Sequence, residues 1–209
     1  MKYGHRATAI VSPQRIVGGW GMAGSTSRRL VLLRHAKSDW PAVPEHARPL
    51  ARRGRRDAPG AGRWLRAAGY VPDRVLCSTA RRARETWELA EGGLCVHPPV
   101  TFEDRVYGAS ADDLQELARQ TPAGVATLMI VGHEPTMSAL TLELAEGPAS
   151  AAPGMARQQE ALERVRAKFP TAAIAVLTFA GEWAGLGPGH ANLTAFAVPA
   201  DFPSDRPSR

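Results

Sequence analysis

Three short polar runs stand directly after apolar ones, and each carries a side chain able to handle a phosphoryl group. In the first, Leu30-Val31-Leu32-Leu33 gives way to Arg34-His35-Ala36-Lys37-Ser38. In the second, Val75-Leu76-Cys77 leads into Ser78-Thr79-Ala80-Arg81-Arg82-Ala83-Arg84. In the third, the apolar stretch from Val125 to Val131 ends at Gly132-His133-Glu134-Pro135. A guanidinium is a permanent cation whose planar fork can donate twice to phosphate oxygens. A neutral imidazole beside it can attack phosphorus. Arg34 and His35 alone do not make a site, because Arg-His pairs arise by chance in an Arg-rich chain. The other two runs must supply their partners.

The elements that would position these residues follow from the spacing. Short, uninterrupted apolar runs read as strands buried on both faces of a parallel sheet. Segments of helical period alternate with them. Leu50, Ala58, Ala61, Trp64, Leu65 and Ala68 fall mostly on one helix face. A second helix is expected to start after Ser78-Thr79, a hydroxyl pair suited to cap it, and to run to about Ala90. A third covers Ser110 to Gln120, with Ser110 and Asp113 spaced like a capping box. Thr136 to Ala145 and Met155 to Phe169 give two more. Strands are expected at Leu94 to Val96, Ala172 to Phe179 and Leu193 to Val198, and a loop from Thr101 to Gly108. The alternation implies an α/β protein with a mainly parallel sheet. Ligands bind at the carboxyl ends of such strands, so Arg34, His35, Arg82 and His133 can converge on one pocket. A helix N-terminus at the same edge adds a site for an anion.

At 209 residues and 44% hydrophobic, the chain can build one sizeable core. Residues 1–27 break all periodicity and are expected to be a loosely ordered extension before a single domain over 28–209. No apolar run is long enough to span a bilayer, and there is no signal-peptide core, so a cytoplasmic protein without a membrane partner is expected. The net charge is +6 and is carried almost wholly by Arg. That balance fits a phosphorylated substrate or nucleic acid, and equally a compositional habit. The basic runs Arg52–Arg56 and Arg81–Arg84 lack interleaved aromatics, which argues against specific nucleic-acid binding and for solvated faces. Cys77 and Cys95 sit in strand-like segments and read as buried, reduced thiols. The six histidines are scattered and show no metal-ligand spacing, so neither a metal nor another cofactor is expected.

Taken in order, these motifs resemble the histidine phosphatase superfamily, the group that includes the phosphoglycerate mutases. Leu33-Arg34-His35-Ala36-Lys37-Ser38 looks like its nucleophile motif, with Ala where Gly is usual, as in the SixA-like branch of phosphohistidine phosphatases. Arg48-Pro49-Leu50 with Arg53-Gly54-Arg55-Arg56-Asp57-Ala58 resembles the segment that follows it. Ser78 to Thr86 resembles the second phosphate-binding motif, and Val131-Gly132-His133-Glu134-Pro135 the second-histidine motif. The resemblance spans roughly Arg28 to Val198 and implies a three-layer α/β/α fold with a small cap. It implies His35 as nucleophile, Arg34 and Arg82 as phosphate ligands, and His133 as the second pocket histidine. Arg82 takes the motif's arginine place, the fifth counting from Ser78.

The implied reaction is dephosphorylation through a phosphohistidine on the enzyme. The surrounding groups position the phosphoryl group and stabilise its charge. Superfamily members acting on phosphomonoesters place an acid four residues before a Gly in the loop after the second motif. Asp104 stands so before Gly108, with Glu103 adjacent. The acid is open between Asp104, Glu103 and neither, Asp104 reading equally as a solvated carboxylate or an ion-pair partner of Arg105. Ser38 is a candidate for a bond to phosphate or to the turn backbone. Trp40 fits the pocket mouth or, as the default for an aromatic, the core. Only about one helix fits between Gly108 and Val125, so the pocket should be open enough for a phosphorylated protein side chain. The substrate expected is phosphohistidine on a protein. Small phosphomonoesters are the alternative, and a non-catalytic basic module that binds phosphate or nucleic acid is the third.

Overall fold

The strand that ends in Arg34 lies near the middle of a six-stranded sheet. The computed structural model describes residues 27–147 and 155–203. The expectations for an N-terminal extension, a loop over 147–154 and a polar tail therefore fall largely outside the described residues. Ser27, expected to belong to the extension, already pairs with Ala180. In chain order the elements are β1 (Ser27–Arg34), α1 (Arg52–Ala67), β2 (Arg74–Ser78), α2 (Arg81–Leu94), β3 (Val100–Glu103) and α3 (Ala111–Arg119). They continue with β4 (Thr127–Gly132), α4 (Thr136–Ala145), α5 (Met155–Ala167), β5 (Ile174–Ala180) and β6 (Asn192–Ala197).

The strand order is β3-β2-β4-β1-β5-β6. β1, β2, β3 and β4 run parallel, while β5 lies antiparallel to both β1 and β6. The mainly parallel α/β architecture expected from the alternation is thus the one observed. Alternation within the strands shows why both faces are covered. Val31, Leu33, Val75, Cys77, Met129 and Val131 pack with Ala61 and Leu65 of α1 and Trp87 of α2. Leu30, Leu32, Leu76, Leu128 and Ile130 pack the other way, against Leu114 and Leu117 of α3, Leu140 and Leu144 of α4 and Leu162 of α5. A strand with no polar face belongs inside such a three-layer stack.

Four local expectations are corrected. α2 runs on to Leu94, so Leu94 to Val96 is not a strand. A side chain at Gly93 would be driven into the Pro59 carbonyl of α1, and one at Gly62 of α1 into the Ala90 carbonyl of α2, so the two helices pack closely through these glycines. Cys95 closes the helix in the left-handed region (φ 59°) and is exposed, not buried. Thr101 to Glu103, expected in a loop, belong to the edge strand β3, whose partly exposed residues carry no buried-strand signal. The hydroxyls of Ser78 and Thr79 do not cap α2, whose N-cap is Ala80 without a side-chain bond. The capping box of α3 is present as the spacing predicts, with Ser110 and Asp113 bonded reciprocally.

Candidate active site

The register of the sheet sets the carboxyl ends of β1, β2 and β4 side by side. Arg34 pairs with Gly132, and Cys77 with Val131. His35, Ser78 and His133 therefore meet at one edge. His35 is held from both sides of the backbone: its N–H donates to the Gly132 carbonyl, and its own carbonyl accepts from Ala172. The next amide, Ala36, donates to the buried Thr86 hydroxyl of α2 at 2.9 Å, and Thr86 donates onward to the Arg82 carbonyl at 2.6 Å. One threonine thus locks the turn after β1 to the first turn of α2.

The His35 ring is buried and fixed as a single tautomer. Its Nδ1 lies 2.8 Å from the Ala36 carbonyl, which can only accept, so Nδ1 carries the proton. Nε2 then presents a lone pair, faced by Arg82 Nε at 3.3 Å. Burial pushes this imidazole down to about 4, helped by the cations of Arg82, Arg34 and Arg48 and opposed by the Ala36 carbonyl. His133 stands 5.1 Å away, ring centroid to centroid. Its Nδ1 accepts from Arg82 Nη2 at 3.2 Å, which leaves Nε2–H to donate to Ser78 Oγ at 2.8 Å. Burial pushes His133 down to about 3, and His35, Arg82 and Arg34 add to the shift. Both rings are neutral near pH 7.

Arg82 is the hub. It is buried and donates to His35, to His133 and, through Nη1, to the Glu45 carbonyl at 2.9 Å. Its Nη2 also lies 3.3 Å from a Glu45 carboxylate oxygen. Arg34 reaches the Phe169 carbonyl at 2.6 Å with Nη1, while its buried Nε has no partner among the described residues. Arg81 and Arg84 point elsewhere. Arg81 pairs with Glu85, and Arg84 stacks on the Phe102 ring. The neighbours of Arg82 are solvated, as expected. Arg53 and Arg55 are likewise exposed and pair with Asp57 and Glu85.

Ser38 is buried and its Oγ accepts from Arg48 Nη2 at 2.7 Å, so it anchors an arginine in place of the turn backbone. Asp104 is exposed and its side chain makes no hydrogen bond or ion pair among the described residues. Arg105 pairs with Glu103, not with Asp104. The turn that carries Asp104 nevertheless reaches the pocket through Tyr107, whose ring meets His133 edge-on at 5.5 Å and His46 at 4.8 Å. Trp40 is not in the core; it is 72% exposed and lies over the Arg48 guanidinium at 3.2 Å. The expected core placement fails because the flat cation already covers one ring face and leaves the other to solvent.

Several members of the site carry no sequence signal of their own. Thr86 and Ser78 are small hydroxyls inside a motif whose arginines draw the attention. Glu45 and His46 lie in a proline-bordered loop. Tyr107 is the one aromatic in an otherwise charged turn. Among the described residues no group of three or more His, Cys, Asp or Glu could hold a metal ion. None of the described helices is long and apolar enough to cross a membrane.

A parallel-sheet edge presenting two neutral imidazoles around one buried guanidinium defines a protein built to handle a phosphoryl anion. Residues 30–181 match the histidine phosphatase superfamily (branch 1), and the chain belongs to that family, within its SixA-like branch. An uncharacterized protein of Mycobacterium tuberculosis is 46% identical over 168 residues, covering 80% of this chain and 99% of that protein. The phosphohistidine phosphatase SixA of Escherichia coli is 28% identical over 123 residues, covering 57% of this chain and 75% of that protein. A solved structure from Nakamurella multipartitia, provisionally described as a phosphohistidine phosphatase SixA, superposes with a TM-score of 0.70 at 34% identity, covering 83% and 96% of the two chains. These likenesses support phosphatase activity for the chain.

Proposed function

We propose that this phosphatase removes the phosphoryl group from phosphohistidine on a protein, through a phosphoenzyme formed on His35. The observation that carries the reading is the fixed tautomer of His35. Its proton is spent on the Ala36 carbonyl, so the Nε2 lone pair faces the guanidinium that would hold the electrophile. No base is needed to generate the nucleophile, because the imidazole is already neutral.

In the proposed first step, Nε2 attacks phosphorus in line and the bond to the leaving group breaks. Arg82 exchanges its bonds to the two histidines for phosphoryl oxygens. Arg34 offers its unpartnered Nε–H. His133, drawn to its imidazolium form by the phosphoryl anion, donates from Nδ1 to the third oxygen, while its Nε2–H bond to Ser78 fixes the ring plane. In the second step water attacks the phosphohistidine and phosphate leaves. An imidazole leaving group departs without a strong acid, so this reading assigns Asp104 no proton transfer. An ester substrate would need that proton, and Asp104 is the carboxyl the sequence offers for it.

The substrate class rests on the openness of the site together with the SixA relatives. Only α3 lies between Gly108 and β4, so no inserted cap closes the pocket. The test is a parallel assay on a phosphohistidine-bearing carrier protein and a panel of sugar phosphates. Preference for the carrier is expected. Preference for the sugars overturns the protein-substrate reading.

A further inference from the structure

Glu45 occupies a place in the pocket that neither the motif residues nor the mechanism above uses. Both of its carboxylate oxygens accept from Arg48 Nη1 at 2.9 Å. One of them also meets Arg82 Nη2 at 3.3 Å, the nitrogen that reaches His133. Both arginines are buried, yet the Glu45 side chain is 52% exposed. The carboxylate thus sits on the solvent side of the two guanidiniums, where a leaving group must pass. Both of its oxygens face donors, so in this arrangement it serves as a hydrogen-bond acceptor.

That chemistry fits one leaving group. We propose that Glu45 is a catalytic residue that accepts the distal ring N–H of the substrate's phosphohistidine and so selects a protonated imidazole as leaving group. This rests on the phosphohistidine reading of the site. The step balances. The substrate ring enters as a cation, phosphorylated on one nitrogen and protonated on the other. His35 Nε2 forms a bond to phosphorus as the substrate P–N bond breaks. The P–N electron pair returns to the substrate nitrogen, which departs as neutral imidazole still carrying its distal proton. His35 becomes the cation, phosphorylated on Nε2 and protonated on Nδ1 toward Ala36. Without an acceptor for the distal proton the ring would lose it and have to leave as an imidazolate anion, a far poorer leaving group. For a phosphomonoester the same carboxylate is a hindrance, since negative charge builds on the departing oxygen beside it.

The test compares the parent with Glu45→Gln on a synthetic peptide phosphorylated on histidine and on p-nitrophenyl phosphate. Glutamine keeps the size and a carbonyl acceptor for the arginines but removes the charge. For the peptide, kcat/KM is expected to fall about tenfold, the size of a lost charged hydrogen bond, and its alkaline limb to move to lower pH. For p-nitrophenyl phosphate, kcat/KM is expected to rise. Glu45→Asp should keep the parent's preference. Equal losses on both substrates, or an unmoved alkaline limb, overturn the role of Glu45 and leave the phosphohistidine reading standing. A parent that turns over p-nitrophenyl phosphate but not the peptide overturns the reading itself.

Discussion

At the scale of single residues, the site keeps two imidazoles neutral by burying them among cations. His35 lies down at about 4 and His133 at about 3, against an ordinary value of 6.5. The sign of the pH effect follows. The unfolded chain takes up protons at these positions below about 6.5, whereas the folded chain does so only near the lowered values. Stability from keeping them neutral is present above that upper value and is lost as pH falls toward 4 and 3. An anion in the pocket reverses the bias, because it favours the imidazolium forms. Sulfate, whose charge is constant over this range, should therefore raise the melting temperature more at about pH 5 than at about pH 8. Thermal unfolding with and without sulfate measures this directly. An equal rise at both values would show that neither histidine borders the anion. Activity should also fall at the acid end, as His35 loses its lone pair near pH 4.

At the scale of elements, the pocket depends on how the turn after β1 is tied to α2. Thr86 is buried and joins the Ala36 amide to the Arg82 carbonyl. Thr86→Val preserves the volume but leaves the Ala36 N–H without its acceptor. The expected cost is about 1–3 kcal/mol, a fall in melting temperature of several degrees, with kcat reduced more than KM. A variant with the parent's melting temperature and kcat would contradict the link. This contact also marks where the sequence becomes hard to read. The parallel strands were legible because burial on both faces leaves uninterrupted Leu, Val and Ile runs. The helices were legible where one face is apolar or, as at Ser110 and Asp113, where a cap has its own spacing. β3 was not, because an edge strand is half exposed. The end of α2 was not, because Gly93 serves close helix packing and only looks like a break. Likewise Arg34, His35, Arg82 and His133 were legible at strand ends, but Glu45, Thr86 and Tyr107 reach the pocket only through tertiary packing.

At the scale of the whole molecule, one sheet edge gathers residues from β1, β2, β4 and the loops between them into a single candidate site. Among the described residues, Arg53, Arg55 and Arg81 of the two basic runs are matched by nearby carboxylates. The cations that matter are the buried ones, Arg48 and Arg82, and the half-buried Arg34. In the proposed mechanism this arrangement converges on His35 Nε2 as the atom that takes the phosphoryl group. Trapping that intermediate tests the account most directly. The protein is incubated with radiolabelled acetyl phosphate, quenched, and the label on the chain is challenged with acid and with alkali. The account predicts an acid-labile, alkali-stable phosphoenzyme that disappears in His35→Ala and persists when the exposed His97 is replaced by Ala. Labelling of His35→Ala at the parent's level, or a label that survives acid, would contradict it.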